Sequence, residues 1–183
     1  MSSKSTVLNR IALSIAMMTA GLACAAYGKP PKSELSLSIT MVTGEHSRDS
    51  NSATTTLIVS GDTILYEQSY HGAHSAGRTP VKKEYKLTRA NRTELTRMLR
   101  TRNLLVNRTL STLAEQDAPG RYFELKIRSK LNGKEYSISI EGPRSSAKLK
   151  QDRIYQDSVY LIEQLYKIIN MTDPDVSMPE LIN

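Results

Sequence analysis

Hydrophobic and polar residues alternate along four segments in the first half of the chain, and this two-residue period is typical of β-strands with one buried face. The segments cover residues 35–41, 54–60, 64–70 and 81–87. A Ser-Gly-Asp turn separates the second segment from the third, so these two predict a β-hairpin.

The period lengthens after Thr88, a residue type that often caps a helix. Leu95, Met98 and Leu99 then fall on one side of a helix that begins at Arg89. Such a stripe predicts a short amphipathic helix with its apolar side toward a core.

Two more strands and a second helix are predicted further along the chain. Residues 123–127 and 136–140 alternate again and flank an Asn-Gly pair, which is the strongest hairpin signal in the sequence. Residues 152–169 carry a broad apolar side, so we expect a well-buried helix there.

The order ββββαββα predicts an α+β fold, with an antiparallel sheet of about six strands and two helices packed on one face. The other face, without helices, is called the open face. Polar side chains of the strands are expected to lie on it. They are Ser36, Ser38, Thr40, Thr54, Thr56, Lys82, Glu84, Lys86, Lys126 and Arg128.

The connections between these elements sort into tight turns at one end of the strands and long loops at the other. The long loops cover residues 42–53, 71–80, 106–120 and 142–151, and we call their end of the sheet the long-loop pole. Long connections without periodicity are often functional, so we expect any binding site at this pole.

Residues 1–28 have the composition of a secretory signal peptide, with Lys4 and Arg10 ahead of an uncharged apolar run and a small-residue exit. The sequence therefore predicts an exported protein, periplasmic or secreted. The expected organisation is this leader, one α+β domain over residues 29–170 and a flexible C-terminal tail over residues 171–183.

The single cysteine, Cys24, lies inside the leader, so the exported chain can form no internal disulfide. This favours a bacterial envelope over disulfide-rich eukaryotic secretion. Cys24 could alternatively carry a lipid, although Gly21 stands where a lipoprotein box has a large aliphatic residue. Membrane contact is expected only through the leader or such a lipid anchor.

The charge balance argues against a nucleic-acid partner. The chain carries a net charge of +7, and removal of the leader takes away two basic residues and no acid, leaving +5. Basic and acidic residues are interleaved along the chain, whereas nucleic-acid binding needs a clustered basic surface with stacking aromatic residues.

All three histidines are expected at the long-loop pole, together with several charged residues. His46, His71, His74 and Asp49 could bind a zinc-like ion, because imidazole is the commonest metal ligand; the alternative is a set of solvated loop histidines. Arginines near the same pole could bind a carboxylate or phosphate. They are Arg48, Arg78 and Arg144.

No nucleophile-elbow motif is present, and the exported chain lacks cysteine, so we expect a protein that is not an enzyme and needs no cofactor. The first hypothesis is an exported binding or accessory module, with an inhibitor as one form of it, that contacts a protein or other macromolecule through the long-loop pole. The alternative is a small-ligand or metal-binding envelope protein that uses the loop histidines. A hydrolase of envelope polymers is the third hypothesis.

Overall fold

The computed structural model describes residues 34–45, 52–112 and 121–179. A one-turn 3-10 helix, Gly72–Ser75, lies between the third and fourth strands. In chain order the other elements are β1 (Leu35–Glu45), β2 (Ser52–Ser60), β3 (Thr63–His71), β4 (Val81–Lys86), α1 (Arg89–Thr101), β5 (Arg108–Ser111), β6 (Arg121–Leu131), β7 (Lys134–Pro143), α2 (Ala147–Gln151) and α3 (Arg153–Asn170).

The strands form one sheet in the order β4-β3-β2-β1-β6-β7-β5. β1 occupies the centre and pairs antiparallel with both β2 and β6. The β5–β7 pair is parallel, and the chain crosses from one edge of the sheet to the other between β4 and β5. The predicted α+β fold with a mainly antiparallel sheet is confirmed.

Two short elements differ from the sequence prediction. β5 lies inside the segment of residues 106–120 that was expected to be a loop, and α2 precedes the second long helix. β5 has only four residues, and Leu110 is its one apolar side chain, so no alternating pattern could reveal it. Its pairing with β7 holds it in the sheet.

The core lies between one face of the sheet and the helices. On β1 the buried positions are Leu37, Ile39 and Met41, each at most 1% exposed, because successive strand residues point to opposite faces. The long helix α3 contributes Leu161 and Leu165, which are fully buried in the same cluster. None of the described helices is both long and apolar enough to cross a membrane.

Polar contacts fix the ends of α1 and α3. Thr88 Oγ1 accepts a hydrogen bond from the Asn91 amide at 3.1 Å, which confirms the predicted start of α1. At the other end of α1, Arg102 Nη1 donates to Asp157 Oδ1 of α3 at 2.6 Å. The Arg102 guanidinium also lies 3.7 Å from the centre of the Tyr160 ring, so this contact joins the two helices.

Residues directly after α3 make packing contacts with the domain. Val176 is only 6% exposed and belongs to the core cluster. Asp173 Oδ2 accepts hydrogen bonds from Lys83 Nζ at 2.6 Å and from Tyr85 Oη at 3.0 Å on the edge strand β4. The flexible tail over residues 171–183 stays a prediction, and these contacts show that part of residues 171–179 packs on the domain. Residues 180–183 lie outside the described residues.

The contact between Asp173 and β4 predicts a specific loss of stability in acid. The Lys83 ammonium and then the Tyr85 hydroxyl lower the pKa of Asp173 from its ordinary value of 3.8. A carboxylate with a depressed folded-state pKa stabilises the fold above its unfolded pKa and loses that contribution as the pH falls through the folded-state pKa. We therefore expect the urea midpoint of the wild type to be higher than that of Asp173→Asn above pH 3.8. This difference in midpoint should shrink at lower pH.

Asp175→Asn is the matched control, because Asp175 is an exposed acid two residues away. Its urea midpoint should follow that of the wild type across the whole pH range. A difference between wild type and Asp173→Asn that stays constant down to pH 2 would contradict the assigned ion pair.

Candidate binding site on the open face

Strand register defines the two ends of the sheet. Glu45 pairs with Arg121, Ser52 with His71, and Tyr122 with Pro143, so the connections β1–β2, β3–β4, β5–β6 and β7–α2 all leave from the same end. This end is the long-loop pole, and the tight turns after β2 and β6 lie at the opposite end.

The candidate residues at the long-loop pole are only partly described. His46, Arg48 and Asp49 lie outside the described residues. His71 ends β3 as an exposed residue, and His74 lies in the 3-10 turn. No cluster of three or more His, Cys, Asp or Glu side chains within the described ranges could hold a metal ion, so the predicted metal site stays a prediction.

The two described arginines of that set do not share a site. Arg78 stacks on the Tyr70 ring at 5.0 Å from the ring centre. Arg144 follows β7, and its amide donates to the Arg121 carbonyl at 2.8 Å. β7 and β3 are four strand spacings apart in the sheet. At ~4.8 Å per spacing, the end of β7 lies about 19 Å from the end of β3.

The open face agrees in detail with the sequence pattern. Ser38 pairs with Ile58 and Arg128, and Thr56 pairs with Glu67, so these residues lie on the face of the sheet that is turned away from the core. All ten polar residues predicted for the open face lie on it. The period of two in β-strands explains this success, since it assigns a face without any knowledge of strand order.

A cavity of about 550 Å³ opens on this face at the end with the tight turns. β1, β6 and β7 form its floor, and the segment just before β5 forms one wall. Each described lining residue carries a hydroxyl, amide or charged group. The lining residues are Ser36, Ser38, Asn107, Arg128, Ser129, Lys130, Glu135, Tyr136 and Ser137.

Arg128 lies in the middle of this cavity. It pairs across the sheet with Ser38 of β1 on one side and with Ser137 of β7 on the other, which brings each serine Cβ within about 5 Å of the arginine Cβ. Asn107 Oδ1 accepts a hydrogen bond from the Ser137 amide at 2.8 Å. This bond fixes the Asn107 side chain at the wall and does not use its NH₂ group.

The charged groups around Arg128 are already paired with each other. Lys130 Nζ lies 3.1 Å from Glu135 Oε1, and Lys126 forms an ion pair with the buried carboxylate of Glu124. Among residues 34–45, 52–112 and 121–179, no carboxylate forms an ion pair with Arg128.

Comparison with known proteins finds no family model that matches this chain and no curated protein similar to it. The function is therefore inferred from the geometry of the open face.

A second cavity on the open face, of about 240 Å³, lies over β2, β3 and β4. Its charged groups, Lys82 and Glu67, form an ion pair at 2.7 Å. Because these charges satisfy each other, this cavity offers a ligand less electrostatic attraction than the cavity around Arg128.

The sequence identified part of the lining of the larger cavity and missed the rest. Ser36, Ser38 and Arg128 were expected on the open face, but at no particular site. The alternation over residues 136–140 also assigns Ser137 to this face. Asn107 carried no signal, because it lies in a segment that the pattern assigned to a loop.

Proposed function

We propose that this chain is a non-enzymatic binding module that contacts a protein partner through the open face of its sheet. The observation that supports the proposal is the cavity of about 550 Å³ on a face that the helices leave uncovered. Protein interfaces commonly combine such a pocket, which receives an anchor side chain, with a polar rim. The surface proposed to bind the partner is thus the open face, whereas the sequence alone indicated the long-loop pole.

The dimensions of the open face are consistent with a protein partner. The seven strands span six spacings, and the central strands are nine to eleven residues long. At ~4.8 Å per spacing and ~3.3 Å per residue, the face measures roughly 29 Å by 30–36 Å, which is roughly 900–1,000 Å². A standard interface buries about 800 Å² on each partner.

Binding also accounts for the charged residues better than catalysis does. Glu124 and Glu141 face each other across β6 and β7, but neither lines the described cavities, and Glu124 is paired with Lys126. Glu135 is the one carboxylate among the described lining residues of the larger cavity, and it is paired with Lys130. General acid–base chemistry needs a titratable group that can reach a substrate.

The leader-like composition of residues 1–28 supports placing the partner in the envelope or extracellular space. Residues 1–33 lie outside the described residues, so this part of the proposal depends on sequence alone. The exported chain from residue 29 is therefore the form to be tested.

The experiment is affinity capture from envelope and secreted fractions, followed by binding measurements with the purified partner. We expect Arg128→Glu to weaken that binding by at least about tenfold, as charge reversal at an anchor position does. Arg100→Glu is the matched control, because Arg100 is exposed in the last turn of α1, and it should change the affinity by less than about twofold.

Hydrogen-exchange protection by the partner locates the surface independently of the variants. Protection of β1, β6 and β7 supports the proposal. Protection confined to the long-loop pole, or equal losses with Arg128→Glu and Arg100→Glu, would overturn it.

A further inference from the structure

Three basic residues occupy alternate positions on the open face of β6, and the middle one differs from the other two. Lys126 is paired with Glu124 and Lys130 with Glu135, whereas Arg128 has no ion-pair partner among the described residues. Cross-strand neighbours on a sheet commonly have opposite charges. Arg128 instead has a serine on each side, Ser38 and Ser137.

Apart from the Glu135 carboxylate, which is paired with Lys130, the described lining side chains around Arg128 can donate hydrogen bonds. The guanidinium presents a planar fork of N–H donors, and the hydroxyls of Ser36, Ser38 and Ser137 add rotatable O–H donors. The NH₂ group of Asn107 lies at the same wall. Such a set is complementary to a ligand with anionic oxygen atoms.

We infer that the cavity receives the carboxylate of a single Asp or Glu side chain from the partner protein. This inference rests on the proposed function and names the chemistry of its anchor. The guanidinium fork matches the two carboxylate oxygens, and arginine is enriched at the centres of protein interfaces.

The charge of the cavity selects against more highly charged ligands. Arg128, Lys130 and Glu135 give the lining a net charge of +1, which matches a monoanion. Glu135 is 75% exposed in its side chain and would repel a phosphate dianion. Glu124 lies two open-face positions from Arg128 along β6, and Glu141 lies two open-face positions from Ser137 along β7. These carboxylates would repel the repeating charges of an acidic polysaccharide.

The test is a titration of ¹⁵N-labelled protein from residue 29 with blocked Gly/Ser peptides that differ at one position, Glu or Gln. We expect the Glu peptide to give saturable shifts at Ser38, Ser137 and the Arg128 side-chain N–H, with a dissociation constant of about 1 mM or below. The Gln peptide should bind at least about tenfold more weakly, because it cannot form a charge-assisted bidentate contact.

Variants assign the effect to the guanidinium group. Arg128→Met should abolish the shifts, and Arg128→Lys should weaken binding because lysine keeps the charge but not the fork. Lys86→Met is the matched control, since Lys86 is an exposed cation on the open face of the edge strand β4, and it should leave the affinity unchanged. The NMR spectra of the variants show directly whether each one is folded.

The outcomes separate this inference from the proposed function. Equal binding of the Glu and Gln peptides at the cavity would overturn the carboxylate assignment and leave the proposed function standing. Tighter binding of oligogalacturonate than of the Glu peptide would overturn the choice of a protein ligand. Absence of any saturable shift with the Glu peptide would overturn the inference, whereas the proposed function depends on the captured partner and its response to Arg128→Glu.

Discussion

Replacement of Gly142 by alanine is expected to lower the free energy of unfolding by about 3 kcal/mol or more, a large part of the stability of a typical domain. Gly142 lies in β7 with a φ of +155°, where an L side chain is strained. An added Cβ would lie 2.1 Å from Thr112 Oγ1 and 3.2 Å from Leu149 Cδ1. Thr112 Oγ1 has to move away, and the Thr112 backbone has little freedom to do so because its amide donates a hydrogen bond to the Glu141 carbonyl of β7 at 3.0 Å.

A double-mutant cycle with Thr112→Ala separates the steric clash from the backbone strain. Thr112 Oγ1 is buried without a hydrogen-bond partner among the described residues, so its removal alone should cost less than about 1 kcal/mol. The Thr112→Ala/Gly142→Ala protein should recover part of the loss, because the clash with Thr112 Oγ1 is removed. The strain of the positive φ and the tight contact with Leu149 Cδ1 remain. Additive effects in urea unfolding would show that Thr112 is not the obstacle.

The second large effect is expected from Phe123→Ala, with a loss of about 3–5 kcal/mol in the free energy of unfolding. Phe123 is fully buried on β6, and its ring meets the Tyr155 ring of α3 edge to face at 5.8 Å between centres. Truncation removes this contact and leaves a cavity where the first turns of α3 meet the sheet.

Phe123→Leu is the matched control, because it keeps most of the volume, and it should cost about 1.5 kcal/mol or less. Urea unfolding monitored by circular dichroism measures both variants. Similar losses for alanine and leucine would indicate that the protein collapses around the site, contrary to the packing described. Because Phe123 pairs directly with Gly142, its effect and that of Gly142→Ala should not be additive.

The elements that could be predicted are those in which local pattern and burial agree. The alternation of apolar and polar residues predicted both faces of β1. A cap residue followed by an apolar stripe predicted the start of α1 at Arg89. β5 and α2 were missed because four or five residues are too few to show a period. The strand order also could not be predicted, since the central position of β1 depends on pairing with β6, far away in the sequence.

In the candidate site, too, some features follow from the local sequence pattern and others depend on the strand order. The face of Arg128 follows from the period of two, but its isolation between Ser38 and Ser137 depends on which strands flank β6. No local pattern contains that information. The histidine and arginine site expected at the long-loop pole stays a prediction, because His46, Arg48 and Asp49 lie outside the described residues.

The central position of β1 determines how the domain can fold. Leu35, near the start of the described chain, pairs with Leu131, and β1 receives its second neighbour only after β6 has been made. Pairings between residues so distant in sequence slow folding, because the loop between them loses entropy before contacts form. A fragment that ends before β6 therefore leaves the second edge of β1 unpaired, and the domain is expected to fold as one cooperative unit without a stable N-terminal subdomain.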